Sequence, residues 1–260
     1  MLYSDAAENN QIDHIDPLTN SAVDGSRWKE IWQNRDVSHA HESDTDEMFA
    51  ELKRLDGFDI QGTPIDGFKK QHSEIMAKLS ERREISSVFD LGCGSGANML
   101  LLKDAGYSIG GMDYSQPLIR VADEVLGSSC LELICGEAKD MPTDVHYDAI
   151  ISNSVFSYFP SLDYARAVLD KMAVKADAFA IIDVHEHGME DDFKAFRRSI
   201  DPDYDEKYKG LDKLFYPMSF FEMWALDNGF QCLIEHPHVE GYWNNRFVFT
   251  AYMWKKQRNH

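Results

Sequence analysis

The chain has 260 residues and a formal net charge of −19, long enough for a full hydrophobic core and most simply one α/β domain with elaborations. So large an acidic excess opposes general association with nucleic acid or an anionic membrane, and no run approaches the roughly 20 apolar residues that cross a bilayer. Cys93, Cys130, Cys135 and Cys232 show no C-x-x-C pairing and the N-terminal sequence offers no apolar leader, so the expectations are a cytoplasmic protein, a small-molecule partner, no nucleic acid or membrane, and a monomer or homodimer.

Residues 1–22, rich in Asn, Asp and Ser, read as a flexible tail. From Gly25 to Arg35 the residues Trp28, Ile31 and Trp32 fall on one helical face. A second helical pattern carries Met48, Phe49, Leu52 and Leu55 and stops at Asp56-Gly57, and a third, near Asp66 to Leu79, carries Phe68, Ile75 and Leu79. Residues 23–85 are therefore expected to be helical and to form a lid.

From Ser86 onward short apolar runs alternate with helical patterns, the signature of a parallel sheet with crossover helices. The strand candidates are Ser87–Leu91, Ser108–Met112, Leu131–Cys135, Tyr147–Ser152 and Ala178–Val184, with helices near Ala97–Asp104, Gln116–Leu126, Leu162–Ala173 and Ser219–Asn228. A charged, aromatic-rich stretch near 185–216 breaks the rhythm and reads as an insertion. Two last strands, Gln231–Glu235 and Arg246–Trp254, are separated by only a loop and can pair antiparallel. Residues 86–260 thus form one α/β domain.

The first strand runs into Asp90-Leu91-Gly92-Cys93-Gly94-Ser95-Gly96-Ala97. A glycine-rich turn between strand and helix brings backbone amides close to a ligand. Gly92-x-Gly94-x-x-Ala97 fits a dinucleotide fingerprint, while Asp90-x-Gly92-x-Gly94-x-Gly96 fits a nucleoside with a sulfonium group. Asp90 tilts the choice, since a carboxylate at the strand end repels a pyrophosphate and suits the cationic end of S-adenosylmethionine.

From about Val88 to Trp254 the chain resembles the class I S-adenosylmethionine-dependent methyltransferases, whose first motif looks like Phe89-Asp90-Leu91-Gly92-Cys93-Gly94-Ser95-Gly96. The resemblance implies a Rossmann-like three-layer sandwich with a seven-stranded sheet ending in an antiparallel strand, and S-adenosyl-L-methionine as cofactor. It also points to further positions. Asp113, ending the second strand, can accept both ribose hydroxyl hydrogen bonds or cap the next helix. Tyr114 and Met112 either flank the adenine or pack in the core. The segment Cys135–Pro142 looks like the adenine segment, with Glu137 for the exocyclic amine and Ala138 beside it. Asn153 and Ser154 fall where the cofactor's amino-acid end is held, and Phe156, Tyr158 or Phe159 either offers a π face to the sulfonium or caps the sheet edge.

Methyl transfer needs alignment and exclusion of water, and a base only if the acceptor loses a proton. His185 and His187 are the base candidates, alternation placing both on the side of Asp183; the same run also reads as a polar loop start. Two histidines two apart with no third ligand give no metal site. Gly241-Tyr242-Trp243-Asn244-Asn245-Arg246-Phe247 resembles an ending found in small-molecule and sugar-type methyltransferases, where Arg246 either binds a substrate carboxylate or braces the last strand. Trp28, Trp32 and Arg35, with Phe58, either contact substrate as a lid or pack in the core. The expected activity is methyl transfer to O or N of a small polar metabolite. Its rivals are a cyclase that consumes S-adenosylmethionine to give azetidine-2-carboxylate and methylthioadenosine, a noncatalytic scaffold, and a nicotinamide oxidoreductase.

Overall fold

A computed structural model describes residues 23, 25–38, 44–58 and 65–256. The tail expected over 1–22 lies outside them. Three helices come first: α1 (Ser26–Gln33), α2 (Thr45–Leu55) and α3 (Ile65–Ser80). Then follow β1 (Ser87–Leu91), α4 (Ala97–Asp104), β2 (Ser108–Asp113), α5 (Gln116–Leu126), β3 (Cys130–Cys135), β4 (Tyr147–Asn153), α6 (Leu162–Lys175) and β5 (Ala176–His185). The stretch after β5 holds α7 (Glu190–Ile200) and the single turn α8 (Tyr204–Lys207), and the chain closes with α9 (Met218–Asp227), β6 (Phe230–Glu235) and β7 (Val248–Lys255).

The seven strands form one sheet in the order β3-β2-β1-β4-β5-β7-β6, with β7 antiparallel to both of its neighbours. This is the Rossmann-like sandwich expected from the sequence. Helices cover both faces, so the central strands are apolar throughout: Ala149, Ile150 and Ile151 of β4 and Ala178 to Ile181 of β5 have no exposed surface. Alternate residues serve opposite layers. Val88, Ile109, Ala149 and Ile151 pack against α2 to α5, while Phe89, Tyr147, Ile150 and Phe179 pack against α6 and α9.

Helices α2 and α3 belong to the first of these layers, with Leu52 and Leu79 completely buried in it. Of the N-terminal helices, α1 and the C-terminal end of α2 reach the carboxyl ends of the strands. Connections leave β1 toward β2 on one side and β4 lies on the other, so the strand order reverses between β1 and β4. In open α/β sheets such a switch point leaves a crevice beyond the carboxyl ends of the strands.

Candidate active site

The crevice is a cavity of about 1190 Å³. Its floor starts at the turn after β1. Gly92 and Gly94 have φ of 79° and 55°, and a Cβ at Gly92 would run into Val155, one at Gly94 into the carboxylate of Asp56. Glycine is required at both on each count. The loop is tied to α2: the Ser95 amide donates to Asp56 Oδ1 at 2.7 Å and Ser95 Oγ to the Leu52 carbonyl at 2.9 Å.

Around this loop the charge is acidic and buried. Burial pushes Asp56 up to about 6 and Asp90 up to about 7, with the Lys53 charge pulling both back. Neither oxygen of Asp90 has a hydrogen-bond partner among the described residues. Asp90, expected among the cofactor-binding residues, is fully enclosed beneath the loop and is not on the cavity wall. Lys53, from α2, reaches Asn98 Oδ1 at 3.2 Å and sits 4.8 Å over the Phe58 ring. Burial lowers its pKa.

Asp113, at the end of β2, accepts the Gly94 amide on Oδ2 at 3.0 Å and the Ser115 amide on Oδ1 at 2.8 Å. Each oxygen keeps a lone pair, so the two sequence readings, helix start and ligand acceptor, are compatible. Burial raises its pKa against those backbone hydrogen bonds. Cys93, Met112, Tyr114 and Ala138 also line the wall. Glu137 pairs with Lys29 at 2.5 Å and accepts from Tyr164 Oη at 2.9 Å. Burial pushes that carboxyl up, but these two contacts win and hold it below the usual range.

At the ends of β4 and β5 stand the two described non-glycine residues with positive φ, Ser154 at 59° and Asp183 at 60°. They touch, Ser154 Oγ donating to Asp183 Oδ2 at 2.6 Å. Asp183 also accepts from Tyr242 Oη at 2.9 and 3.0 Å and from Asn244 Nδ2 at 3.3 Å. Left-handed backbone at non-glycine residues costs of order 1–3 kcal/mol each and collects at functional sites. Asn153 completes this junction on the wall.

The kink at Asp183 coincides with a register shift against β7 between Ile181 and Val184, and the simple alternation expected of this run fails beyond it. His185 reaches the wall, but its Nδ1 lies 2.9 Å from Ser157 Oγ and its ring packs edge-on against Phe193 and Phe215. Burial, with Lys213 and Arg197 nearby, holds its pKa well below the usual imidazole value. His187 is corrected outright: the strand ends at His185, and His187 opens a 3-10 turn, exposed and off the wall. Arg246 is corrected too, because it is exposed and lies over the Phe247 ring at 4.4 Å, away from the cavity.

Trp28, Trp32, Arg35 and Tyr158 all line the cavity. Trp28 is 4.9 Å and Trp32 6.1 Å from Tyr158, edge to face, so these tryptophans both pack and line. Arg35 stacks 4.7 Å over Trp32, and burial lowers its pKa against the Asp56 charge. Tyr158 stays protonated, burial pushing its pKa far up.

The sequence reading missed Lys53, Asp56, Asp183, Tyr242 and Asn244, together with Arg197 and Lys213 from the insertion. Tyr242 and Asn244 lay in the segment singled out for Arg246; the kink that carries Asp183 inward left no signal. Among the described residues no three His, Cys, Asp or Glu side chains are grouped to hold a metal ion.

The fold is similar to that of known methyltransferases. Residues 88–174 match the family described as a methyltransferase domain. The chain is 28% identical over 181 residues to the beauvericin nonribosomal cyclodepsipeptide synthetase of Gibberella fujikuroi, covering 62% of this chain and 6% of that protein. It is 32% identical over 78 residues to a malonyl-[acyl-carrier protein] O-methyltransferase of Priestia megaterium, covering 29% of this chain and 28% of that one. This chain thus spans less than a third of the length of either relative. The SAH-bound magnesium protoporphyrin IX methyltransferase of Synechocystis PCC 6803 superposes with a TM-score of 0.59 at 16% identity, over 89% of this chain and 99% of that one. The fold is thus that of this solved methyltransferase, and within it residues 88–174 carry the match to a methyltransferase domain.

Proposed function

We propose that this chain is an S-adenosylmethionine-dependent methyltransferase that acts on O or N of a small polar metabolite. The observation that carries the reading is the single cavity running from the glycine loop to the insertion. Small-molecule sites commonly span about 300 to 1,000 Å³, so 1190 Å³ has room for a nucleoside cofactor and a second small molecule. The named relatives support methyl transfer, one being an O-methyltransferase and the other a porphyrin methyltransferase crystallised with SAH.

The residues fit the cofactor. When bound, S-adenosylmethionine supplies a methyl group already activated on sulfonium. Asp113, with lone pairs free, would take the ribose hydroxyls, Tyr114 and Ala138 would flank the base, and Glu137, oriented by Lys29 and Tyr164, would accept from its amine. The loop amides, Asn153 and Ser154, on the same cavity wall, would hold its amino-acid end. The buried carboxyls of Asp56 and Asp90, whose charge Lys53 offsets only in part, favour a net cation. Trp28, Trp32 and Tyr158 exclude water and present aromatic rings, and α1 with Arg35 covers the opening.

Asp183 sits at the junction of the two ligand regions, fixed by Ser154, Tyr242 and Asn244. It is the carboxylate we assign to orienting the acceptor. His185 stays neutral and serves as a positioned hydrogen-bonding ring. Calorimetry with SAH and with NAD(H) tests the assignment: the reading requires SAH to bind and NAD(H) not to, and the reverse preference sinks it.

A further inference from the structure

The cavity wall carries more lysines and arginines than carboxylates although the whole chain is strongly acidic. The cations gather on the insertion side. Several are neutralised locally: Lys194 pairs with Glu190 at 2.6 Å and Arg198 with Asp205 at 2.9 Å. Lys213 and Arg197 have no such contact pair, the charges of Asp183 and Asp201 acting on them only from a distance. Among the described residues Lys213 makes no ion pair and no hydrogen bond, and its Nζ stands 5.3 Å from the Tyr158 ring and 5.8 Å from the Phe193 ring. Arg197 donates to Tyr208 Oη at 3.1 Å, lies 5.2 Å over the Trp243 ring, and has a buried Nε without a partner.

An ammonium and a guanidinium that lack a contact ion pair among aromatic rings leave positive charge that an anionic ligand can complete. Resting on the methyltransferase reading above, we infer that the acceptor is a small carboxylic acid with a flat, unsaturated body, its carboxylate held by Lys213 and Arg197 and its body lying against the rings of Phe193, Trp243 and Tyr158. A guanidinium pairs with a carboxylate in a planar, bidentate fashion and an ammonium adds a point charge beside it. Phosphate esters are the competing anion, and the flat aromatic wall favours a planar acid over a phosphorylated sugar.

The groups facing Lys213 are Asp183 from β5, Arg197 from α7, Tyr208, Tyr158 and the neutral His185. Burial lowers Lys213 to about 8, Asp183 opposing and Arg197 reinforcing the shift. An anion between Lys213 and Arg197 raises it again, so acid binding weakens as pH climbs from 7 toward 9. A lysine acting instead as a base would give activity that rises over that interval.

The test uses the full chain saturated with SAH and three matched pairs, cinnamate and cinnamamide, indole-3-acetate and its amide, and 4-hydroxybenzoate and its amide, with phenyl phosphate as the rival anion. Binding is read by calorimetry. At least one acid is expected to bind ten-fold or more tighter than its amide and than phenyl phosphate. In Lys213→Met and Arg197→Met that preference drops at least ten-fold with SAH affinity unchanged, and Lys213→Arg restores part of it. Equal binding of acids and amides, a preference for phenyl phosphate, no binding in any pair, or a preference that survives both substitutions each overturns the inference. Failure of SAH itself to bind the unaltered protein overturns the methyltransferase reading instead.

Discussion

The two ends of the cavity are built on opposite electrostatic plans. The glycine-loop end is made of backbone amides and buried carboxylates: Asp113 holds two amides, and Asp56 and Asp90 are pushed up by burial toward neutrality. The insertion end is made of aromatic rings and cations, with Lys213 and Arg197 lacking a contact ion pair among the described residues. The first suits a cationic nucleoside and the second an anionic partner, and Ser154 and Asp183, strained and hydrogen-bonded to each other, mark the seam. Two ligands of unlike charge can thus occupy one cavity without competing for the same end.

The sharpest way to break the comparison is at the glycine-loop end. Gly92→Ala places a Cβ against Val155 on a left-handed backbone, and should destabilise the fold by about 2–4 kcal/mol. Chemical denaturation checks this; an unchanged midpoint would show that the loop is looser than described.

Asp113→Ala removes the acceptor at the end of β2 and should weaken SAH binding by on the order of 1 to 3 kcal/mol. Equal affinity in the variant and the parent would refute the ribose assignment. At the seam, Tyr242→Phe deletes one donor to Asp183 and should cost about 1 kcal/mol of stability with a several-fold fall in turnover and little change in SAH affinity. A loss confined to SAH affinity would move Asp183 to the cofactor end.

The acidic end also has a pH signature. Asp56 and Asp90 have folded values of about 6 and about 7, above the ordinary value of about 4 for an unfolded aspartate. Between those limits the ligand-free folded chain holds protons that the unfolded chain releases, so stability falls as pH rises from about 4 to about 7. A cationic ligand favours the ionised forms, so affinity for S-adenosylmethionine rises over the upper part of the same interval. Asp90→Asn should flatten both slopes; parallel pH profiles for variant and parent would remove Asp90 from the account. The smallest effect is expected for Arg246→Ala, where an exposed guanidinium rests on Phe247: within about 0.5 kcal/mol in stability and no change in acceptor KM. A raised KM would return Arg246 to the site.

The difference between the two ends also explains what could be read in advance. The β1 loop, Asp113, Glu137 and the Asn153-Ser154 pair each lie at or just after a strand end, and strand ends are written in local sequence as apolar runs that stop at turn residues. The sheet and its terminal antiparallel strand were legible for the same reason. Lys53 and Asp56 were not, because they enter from a helix that looked like part of a lid and is in fact one layer of the core. Nor were Lys213 and Arg197, which meet Trp243 and Tyr158 only through tertiary packing of the insertion. His187 failed because the kink at Asp183 and the end of β5 at His185 override strand alternation. Arg246 failed because a neighbouring pair, Tyr242 and Asn244, took the inward positions of the same segment.

The most direct test of the whole account is to incubate the purified chain with S-adenosylmethionine, alone and with small-molecule cell extract, and to identify the nucleoside product by mass spectrometry. The account predicts SAH that appears only when extract is present. Methylthioadenosine released without any acceptor would contradict it.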